Sequence, residues 1–117
     1  HDIYIGTWGA DYWDPHTNAD TFARNPDNSD NPKTKPLAWR NAWDIAELTK
    51  KADAAALERD GAQRAKMYQE MQAEFRKTSP FVMLFQQNDV AAYRANVDGL
   101  KIGPTSDTTY LFAVGKR

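Results

Sequence analysis

The five consecutive apolar residues from Phe81 to Phe85 constrain the fold of this chain more than any other stretch. They follow a helical pattern that should end before Ser79 and Pro80, because the position before a proline disfavours helix. A continuous apolar run of this length is typical of a strand buried on both faces of a sheet. Such a strand needs covering layers, so residues 81–87 predict an α/β protein with helices packed on a sheet.

Three other stretches have the composition of strands. β-branched and aromatic residues dominate residues 2–8, and Gly9 then breaks the pattern. Residues 90–95 and residues 110–114 are the other two candidates, with turn signals between them. A chain of 117 residues has room for one core. We therefore predict one unit, residues 1–117, with a few-stranded mixed sheet packed against two or three helices.

Two helices are marked by their start signals. Residues 44–47, Asp-Ile-Ala-Glu, have the form of a capping box and predict a helix that ends before Gly61. Asp60 opens a second helix in the same way. A helical turn is expected around residues 17–24, and residues 25–36 should form a polar surface loop. The residues at helical spacing are Leu48, Ala52, Ala55 and Ala56 in the first helix, and Ala65, Tyr68, Met71, Gln72 and Phe75 in the second.

Composition argues against several classes of function. The formal net charge is -1, so no broad electrostatic field favours nucleic acid or an anionic membrane as a partner. No apolar run approaches the roughly 20 residues of a membrane helix. The absence of cysteine removes disulfides, thiolate catalysis and cysteine-ligated metals. The chain starts at His1 and enters a strand pattern almost at once, which leaves no signal peptide within it. We therefore expect it to be a piece of a longer protein.

Candidate catalytic groups are few. His1 is terminal and His16 lies in a turn, so we expect surface roles for both histidines. Asp11 and Asp14 offer the two carboxylates of a glycosidase, but such pairs come more often from separate elements than from one loop. A metal site of Asp11, Asp14 and His16 matches no specific motif. We predict no catalytic residue, metal ligand or cofactor, and we expect Asp14 to form a turn ahead of Pro15.

The strongest candidate for binding is the Trp8–Trp13 segment, in which Asp11 lies among aromatic rings just beyond a predicted strand. A lone carboxylate beside indole faces suits a protonated amine, because the acid pairs with the charge and the rings add cation–π attraction. Ligand pockets favour strand ends. The alternative for Asp11 is a cap that accepts backbone N–H bonds, and the sequence leaves both interpretations open. For Trp39 and Trp43 we favour a place in the core.

Several short motifs follow one another along nearly the whole chain. In order they are Gly6-Thr7-Trp8, Gly9-Ala10-Asp11-Tyr12, Asp14-Pro15, Arg64 with Met67-Tyr68 and Gln72, Ser79-Pro80-Phe81, and Val97-Asp98-Gly99-Leu100. With this order and spacing the chain resembles the extracytoplasmic solute-binding proteins of ABC transporters, in the class that includes dipeptide- and oligopeptide-binding proteins. Members are about four times longer, so the chain resembles the C-terminal part, mostly the lobe that closes over the ligand.

The resemblance implies a fold, a function and a site. The fold is the C-terminal part of a type II periplasmic-binding-protein fold, with residues 91–117 returning toward the other lobe. The function is non-enzymatic capture, in the periplasm, of a short peptide or amine-bearing compound for delivery to a membrane permease. Asp11 matches the acid that pairs with the ligand's α-amino group, and Trp8 would lie along the pocket. The remainder of the protein would supply the other half of that pocket.

The chain differs from the family at two places, and two other functions remain as alternatives. Trp13 stands where relatives vary, and together with the loop of residues 25–36 it could reshape the pocket. Relatives also carry nickel complexes, oligosaccharides and opine-like compounds. The alternatives are a carbohydrate-active hydrolase that uses Asp11 and Asp14, and a protein-interaction module without a small ligand. We expect neither nucleic acid binding nor membrane insertion.

Overall fold

The computed structural model describes residues 2–105 and 108–117. The chain divides into two units. The helical unit is Asp14–Met83, and the extended unit combines His1–Trp13 with Leu84–Arg117. Every buried residue of the described chain belongs to the helical unit. That the chain forms one lobe of a larger protein stays a prediction.

Four helices make up the secondary structure of the helical unit. They are α1 (Pro15–Phe22), α2 (Leu37–Arg40), α3 (Ala46–Leu57) and α4 (Gly61–Thr78). α1 confirms the helical turn expected around residues 17–24, although it begins two residues earlier because Asp14 caps it and a proline occupies its first turn. The short helix α2 was not predicted from the sequence.

The helix starts of α3 and α4 differ in how well local signals predict them. Asp60 accepts a 2.7 Å hydrogen bond from the Gln63 backbone N–H, which confirms it as the N-cap of α4. The capping box predicted at Asp44 is wrong, since the N-cap of α3 is Ile45 and no side chain caps this helix. Ile45 is 9% exposed. Burial of an apolar side chain at this position outweighs a cap worth about 1 kcal/mol.

Small residues dominate the core between the helices, which allows the helix backbones to approach closely. The buried apolar residues are Ala19, Ala23, Ala38, Ile45, Leu48, Ala52, Ala55, Tyr68 and Met71. Trp43, Met67 and Phe75 pack against this set. These positions confirm most of the helical spacing predicted for α3 and α4. Ala56, Ala65 and Gln72 are exposed, so the predicted faces were wider than the buried ones.

Residues 25–36 contain no helix or strand, as predicted, but the loop is anchored to the helices at its start. The backbone N–H of Asn25 donates to Thr49 Oγ1 at 2.9 Å, and its side-chain amide donates to the Trp43 carbonyl at 3.0 Å. Trp39 Nε1 donates to the Ser29 carbonyl at 2.7 Å. Trp43 is half-buried against the core, whereas Trp39 is half-buried through its contact with this loop.

The described residues of the extended unit contain four two-residue strands in two antiparallel pairs. β1 (Val97–Asp98) pairs with β4 (Gly115–Lys116), and β2 (Lys101–Ile102) pairs with β3 (Thr109–Tyr110). Gly99, in the turn signal at residues 96–99, has φ of +77°, which suits glycine. A Cβ there would lie 1.8 Å from the Ala113 carbonyl oxygen. The secondary structure of the described chain is therefore mixed α/β, with short antiparallel strands.

The strands predicted for residues 2–8, 81–87 and 90–95 are wrong for this structure, since none of these residues belongs to a strand. A strand forms only where its backbone pairs with a neighbour, and the described residues provide no such partner here. Ile3 is 83% exposed and Phe85 is 82% exposed. Phe81 alone of its run packs, with its ring 5.4 Å from that of Phe22 and 6.1 Å from that of Phe75. Of the strand predicted for residues 110–114, only Tyr110 lies in a strand, at the end of β3.

None of the helices in the described residues is long and apolar enough to cross a lipid bilayer.

Candidate functional site

The three predicted site residues lie together in the extended unit and face solvent. Trp8 is 43% exposed, Trp13 is 77% exposed, and Asp11 is also exposed. Tyr12 adds a third partly exposed ring to the segment. The structure therefore presents a carboxylate and several aromatic side chains on one short stretch of chain, without enclosing them.

The carboxylate of Asp11 has no hydrogen bond or ion pair with any of residues 2–105 and 108–117. The cap that the sequence left open for Asp11 is therefore not observed. The neighbouring acid has that role, since Asp14 Oδ1 accepts a 2.7 Å hydrogen bond from the His16 backbone N–H at the start of α1. Asp14 is thus a helix cap and not only the turn former that we predicted.

Asp14 also binds Arg64. Arg64 is part of one of the sequence motifs, but the sequence predicted no contact for its side chain. Arg64 Nη1 donates to Oδ2 of Asp14 and Nη2 donates to Oδ1, each at 2.8 Å. This two-point geometry matches the fork of a guanidinium to the two oxygens of a carboxylate. Each side chain is about one quarter exposed, at 24% for Arg64 and 29% for Asp14. The pair therefore lies at the edge of the helical unit, partly shielded from water.

Further contacts make a cluster of Asp14, His16, Arg64 and Tyr68, here called the Arg64 cluster. Arg64 Nε donates to the carbonyl of Ala55 at 3.0 Å, near the C-terminal end of α3. The Arg64 guanidinium lies 5.0 Å from the centre of the Tyr68 ring. Tyr68 Oη is 3.0 Å from His16 Nδ1. One cluster thus links α1, α3 and α4.

The electrostatics of the pair follow from this geometry. The hydrogen bonds from Arg64 hold the pKa of Asp14 below its ordinary value, against the opposing effect of desolvation. The same hydrogen bonds raise the pKa of Arg64 above its ordinary range. Asp14 is therefore ionised at neutral pH. A carboxylic acid that protonates a leaving group needs the opposite shift, so this environment does not suit Asp14 as a general acid.

The histidines and the metal hypothesis have separate outcomes. His1 lies outside the described residues. His16 is half-buried, and its ring belongs to the Arg64 cluster. Within residues 2–105 and 108–117, no group of three or more His, Asp or Glu side chains is arranged to hold a metal ion.

A shallow depression of about 250 Å³ lies in the helical unit. Its lining is polar or charged apart from one proline: Asp20, Thr21, Arg24, Thr34, Lys35 and Pro36. Arg24 is already engaged, since its Nε lies 2.7 Å from Asp53 and its Nη1 lies 3.2 Å from Asp20. None of the residues predicted for the site contributes to this depression.

Comparison with protein-family models, with curated proteins and with solved structures finds no match for this chain. The resemblance to solute-binding proteins therefore stays a prediction that rests on the motifs in the sequence.

Proposed function

We propose that this chain is part of the ligand-closing lobe of a periplasmic solute-binding protein that serves an ABC transporter. Under this proposal its fold is the C-terminal part of the type II periplasmic-binding-protein architecture. The observation that carries the proposal is Asp11. Its carboxylate has no partner in the described chain, and aromatic side chains flank it in sequence. An acid that none of the described residues neutralises is available for a charged ligand.

The proposed ligand is a short peptide or another compound with a protonated amine. Such a group pairs with Asp11, while Trp8 and Trp13 supply ring faces for cation–π contact. The ligand's amine provides the positive charge that neutralises Asp11, so no basic side chain of the described chain is needed for this role. The protein binds this solute without changing it and releases it to the permease after its lobes open.

The extended unit supports the proposal that more protein covers it. None of residues 2–13, 84–105 and 108–117 is buried, yet this unit exposes many large apolar side chains. The most exposed of them are Ile3, Tyr4, Ile5, Trp13, Phe85, Val90 and Phe112. Surfaces with this much apolar area are usually covered by another partner. We assign that role to the remainder of the same protein, which would also complete the pocket.

The same apolar surface favours a second candidate, a protein-interaction module without a small ligand. The two differ in a simple measurement, since an interaction module gives no thermal shift across a panel of solutes. The hydrolase alternative loses support from the contacts of Asp14. Both oxygens of Asp14 accept hydrogen bonds from Arg64, so this carboxylate is not available as a second catalytic acid or base.

The test is calorimetric titration of the full-length protein with pairs of dipeptides that differ only at the N-terminus. One member of each pair has a free amine and the other is N-acetylated. We expect saturable binding of the free amine, and at least about tenfold weaker binding of the acetylated partner because its charge is lost. Equal affinity for both members, or no binding to any free dipeptide, would contradict the proposal. Turnover of the ligand would instead indicate an enzyme.

A further inference from the structure

The side chain of Asn25 is enclosed within the helical unit, at the start of the loop of residues 25–36. Asn25 is 4% exposed. Its Nδ2 donates to the Trp43 carbonyl at 3.0 Å and to Oδ1 of Asn28 at 2.8 Å. Because a backbone carbonyl can only accept, the amide nitrogen must face Trp43. This contact fixes Oδ1 of Asn25 on the other side of the amide group.

Oδ1 of Asn25 is a buried acceptor that lacks a donor. No group among residues 2–105 and 108–117 donates a hydrogen bond to it. Buried amide oxygens are nearly always hydrogen-bonded, since burial removes their contact with bulk water and nothing else replaces it. A donor is therefore needed at this position, and the burial of Oδ1 restricts it to a molecule small enough to be enclosed.

Thr49 of α3 has the complementary deficit. Its Oγ1 accepts a 2.9 Å hydrogen bond from the Asn25 backbone N–H. Thr49 is 8% exposed, and its hydroxyl hydrogen has no acceptor within the described parts of the chain. By contrast, the hydroxyls of Thr21 and Thr78 donate to the carbonyl four positions earlier in the sequence. Asn25 and Thr49 thus present an unused acceptor and an unused donor, and no direct hydrogen bond joins these two groups.

We propose that one water molecule is bound between Oδ1 of Asn25 and the hydroxyl of Thr49. Water both donates and accepts, so it matches an unused acceptor beside an unused donor. An anion would be repelled by Oδ1, and a bare cation would leave the hydroxyl hydrogen without an acceptor. Buried waters make about two to four hydrogen bonds, of which Asn25 and Thr49 supply two. The water joins the loop to α3, and this role does not depend on the proposed function.

Oxygen-17 magnetic relaxation dispersion of the full-length protein tests this site, because it counts water molecules that stay bound much longer than those at the surface. The comparison is between wild type and Thr49→Val, which replaces the hydroxyl by a methyl group. We expect the variant to hold one long-lived water fewer than wild type. Thr21→Val is the matched control. The Thr21 hydroxyl donates to the Thr17 carbonyl at 2.9 Å, so its loss should leave the count unchanged.

Equal counts in wild type and Thr49→Val would overturn the inference, and so would the loss of a water in Thr21→Val as well. Should Thr49→Val not fold, a crystal structure of the wild-type protein is the second measurement. It should show a water within about 3.0 Å of both Asn25 Oδ1 and Thr49 Oγ1. A protein group that donates to Oδ1 instead, or no density between the two atoms, would overturn the inference. Neither measurement involves a solute, so the proposed function stands or fails separately.

Discussion

The carboxylate of Asp14 and the guanidinium of Arg64 lie fifty positions apart in the sequence and are joined by two hydrogen bonds of 2.8 Å each. The contact links the N-terminus of α1 to the first turn of α4. Through Nε of Arg64 it reaches the Ala55 carbonyl at the end of α3. Because charged groups in two-point geometry make strong hydrogen bonds, we expect this contact to stabilise the helical unit.

Replacement of Asp14 tests that expectation. Asp14→Ala removes the cap of α1 and leaves Arg64 without its carboxylate, so it should cost about 2 kcal/mol in the free energy of unfolding measured by urea denaturation. Asp20→Ala is the matched control. Asp20 is half exposed and pairs with Arg24 one turn along the chain, so its loss should cost about 0.5 kcal/mol or less. Equal effects of the two substitutions would contradict the importance of the Arg64 contact.

The lowered pKa of Asp14 predicts acid sensitivity. A carboxylate whose pKa is depressed in the folded state contributes stability that is present above its unfolded pKa of about 3.9, and this stability is lost as the pH falls through the folded pKa. Arg64 stays charged throughout, since its pKa is raised. Melting temperatures of wild type and Asp14→Asn should therefore differ near neutral pH, and the difference should shrink as the pH falls below the unfolded pKa of Asp14. A constant difference from pH 6 to pH 2 would show that Asp14 does not titrate as described.

The alanine-rich core predicts that added volume is harmful at buried positions only. Ala52 is fully buried, so Ala52→Leu should destabilise the protein by about 1–3 kcal/mol through overpacking. Ala56 lies one turn further along α3 and is exposed. Ala56→Leu should therefore stay within about 0.5 kcal/mol of wild type. Chemical denaturation followed by circular dichroism measures both, and a similar loss for the two would mean that the face of α3 is assigned wrongly.

Gly99 predicts a local effect in the extended unit. Its φ of +77° and the close Ala113 carbonyl leave no room for a side chain. Gly99→Ala should disrupt the pairing of β1 with β4 and speed hydrogen exchange at the Arg117 amide, which donates to the Asn96 carbonyl. Gly61→Ala is the control, because a Cβ at Gly61 meets nothing within 4 Å. Unchanged exchange in Gly99→Ala would contradict the described turn.

Local signals predicted the helices better than the strands, for a physical reason. The cap at Asp60 and the stop before Pro80 act within a few residues, and the structure confirms both. The apolar run that begins at Phe81 required a sheet partner, which no local pattern supplies. Periodicity could not show that Ile45 would displace Asp44 from the cap of α3, because that depends on packing against other helices.

The candidate site shows the same division between local and distant information. The order of residues in the sequence placed Asp11 among aromatic side chains, and the structure leaves its carboxylate without a partner in the described chain. The partner of Asp14 could not be predicted, since Arg64 lies fifty positions away. The Arg64 motif in the sequence was a signal that this residue matters, but nothing in the spacing showed that it holds Asp14.

The central claim is that Asp11 pairs with the protonated amine of the ligand. Its most direct test is to measure, by calorimetry, the affinity of the full-length protein for alanyl-alanine in the wild type, in Asp11→Asn and in Asp30→Asn. Asp30 is an exposed acid in the loop of residues 25–36 and serves as the control for a general loss of negative charge. In the proposed closed state the ligand's amine is enclosed beside Asp11, where an unpaired buried charge costs about 3–5 kcal/mol. Asp11→Asn should therefore weaken binding by about 100-fold or more, while Asp30→Asn should leave it within about twofold of wild type. Binding by Asp11→Asn within about twofold of wild type would contradict the account.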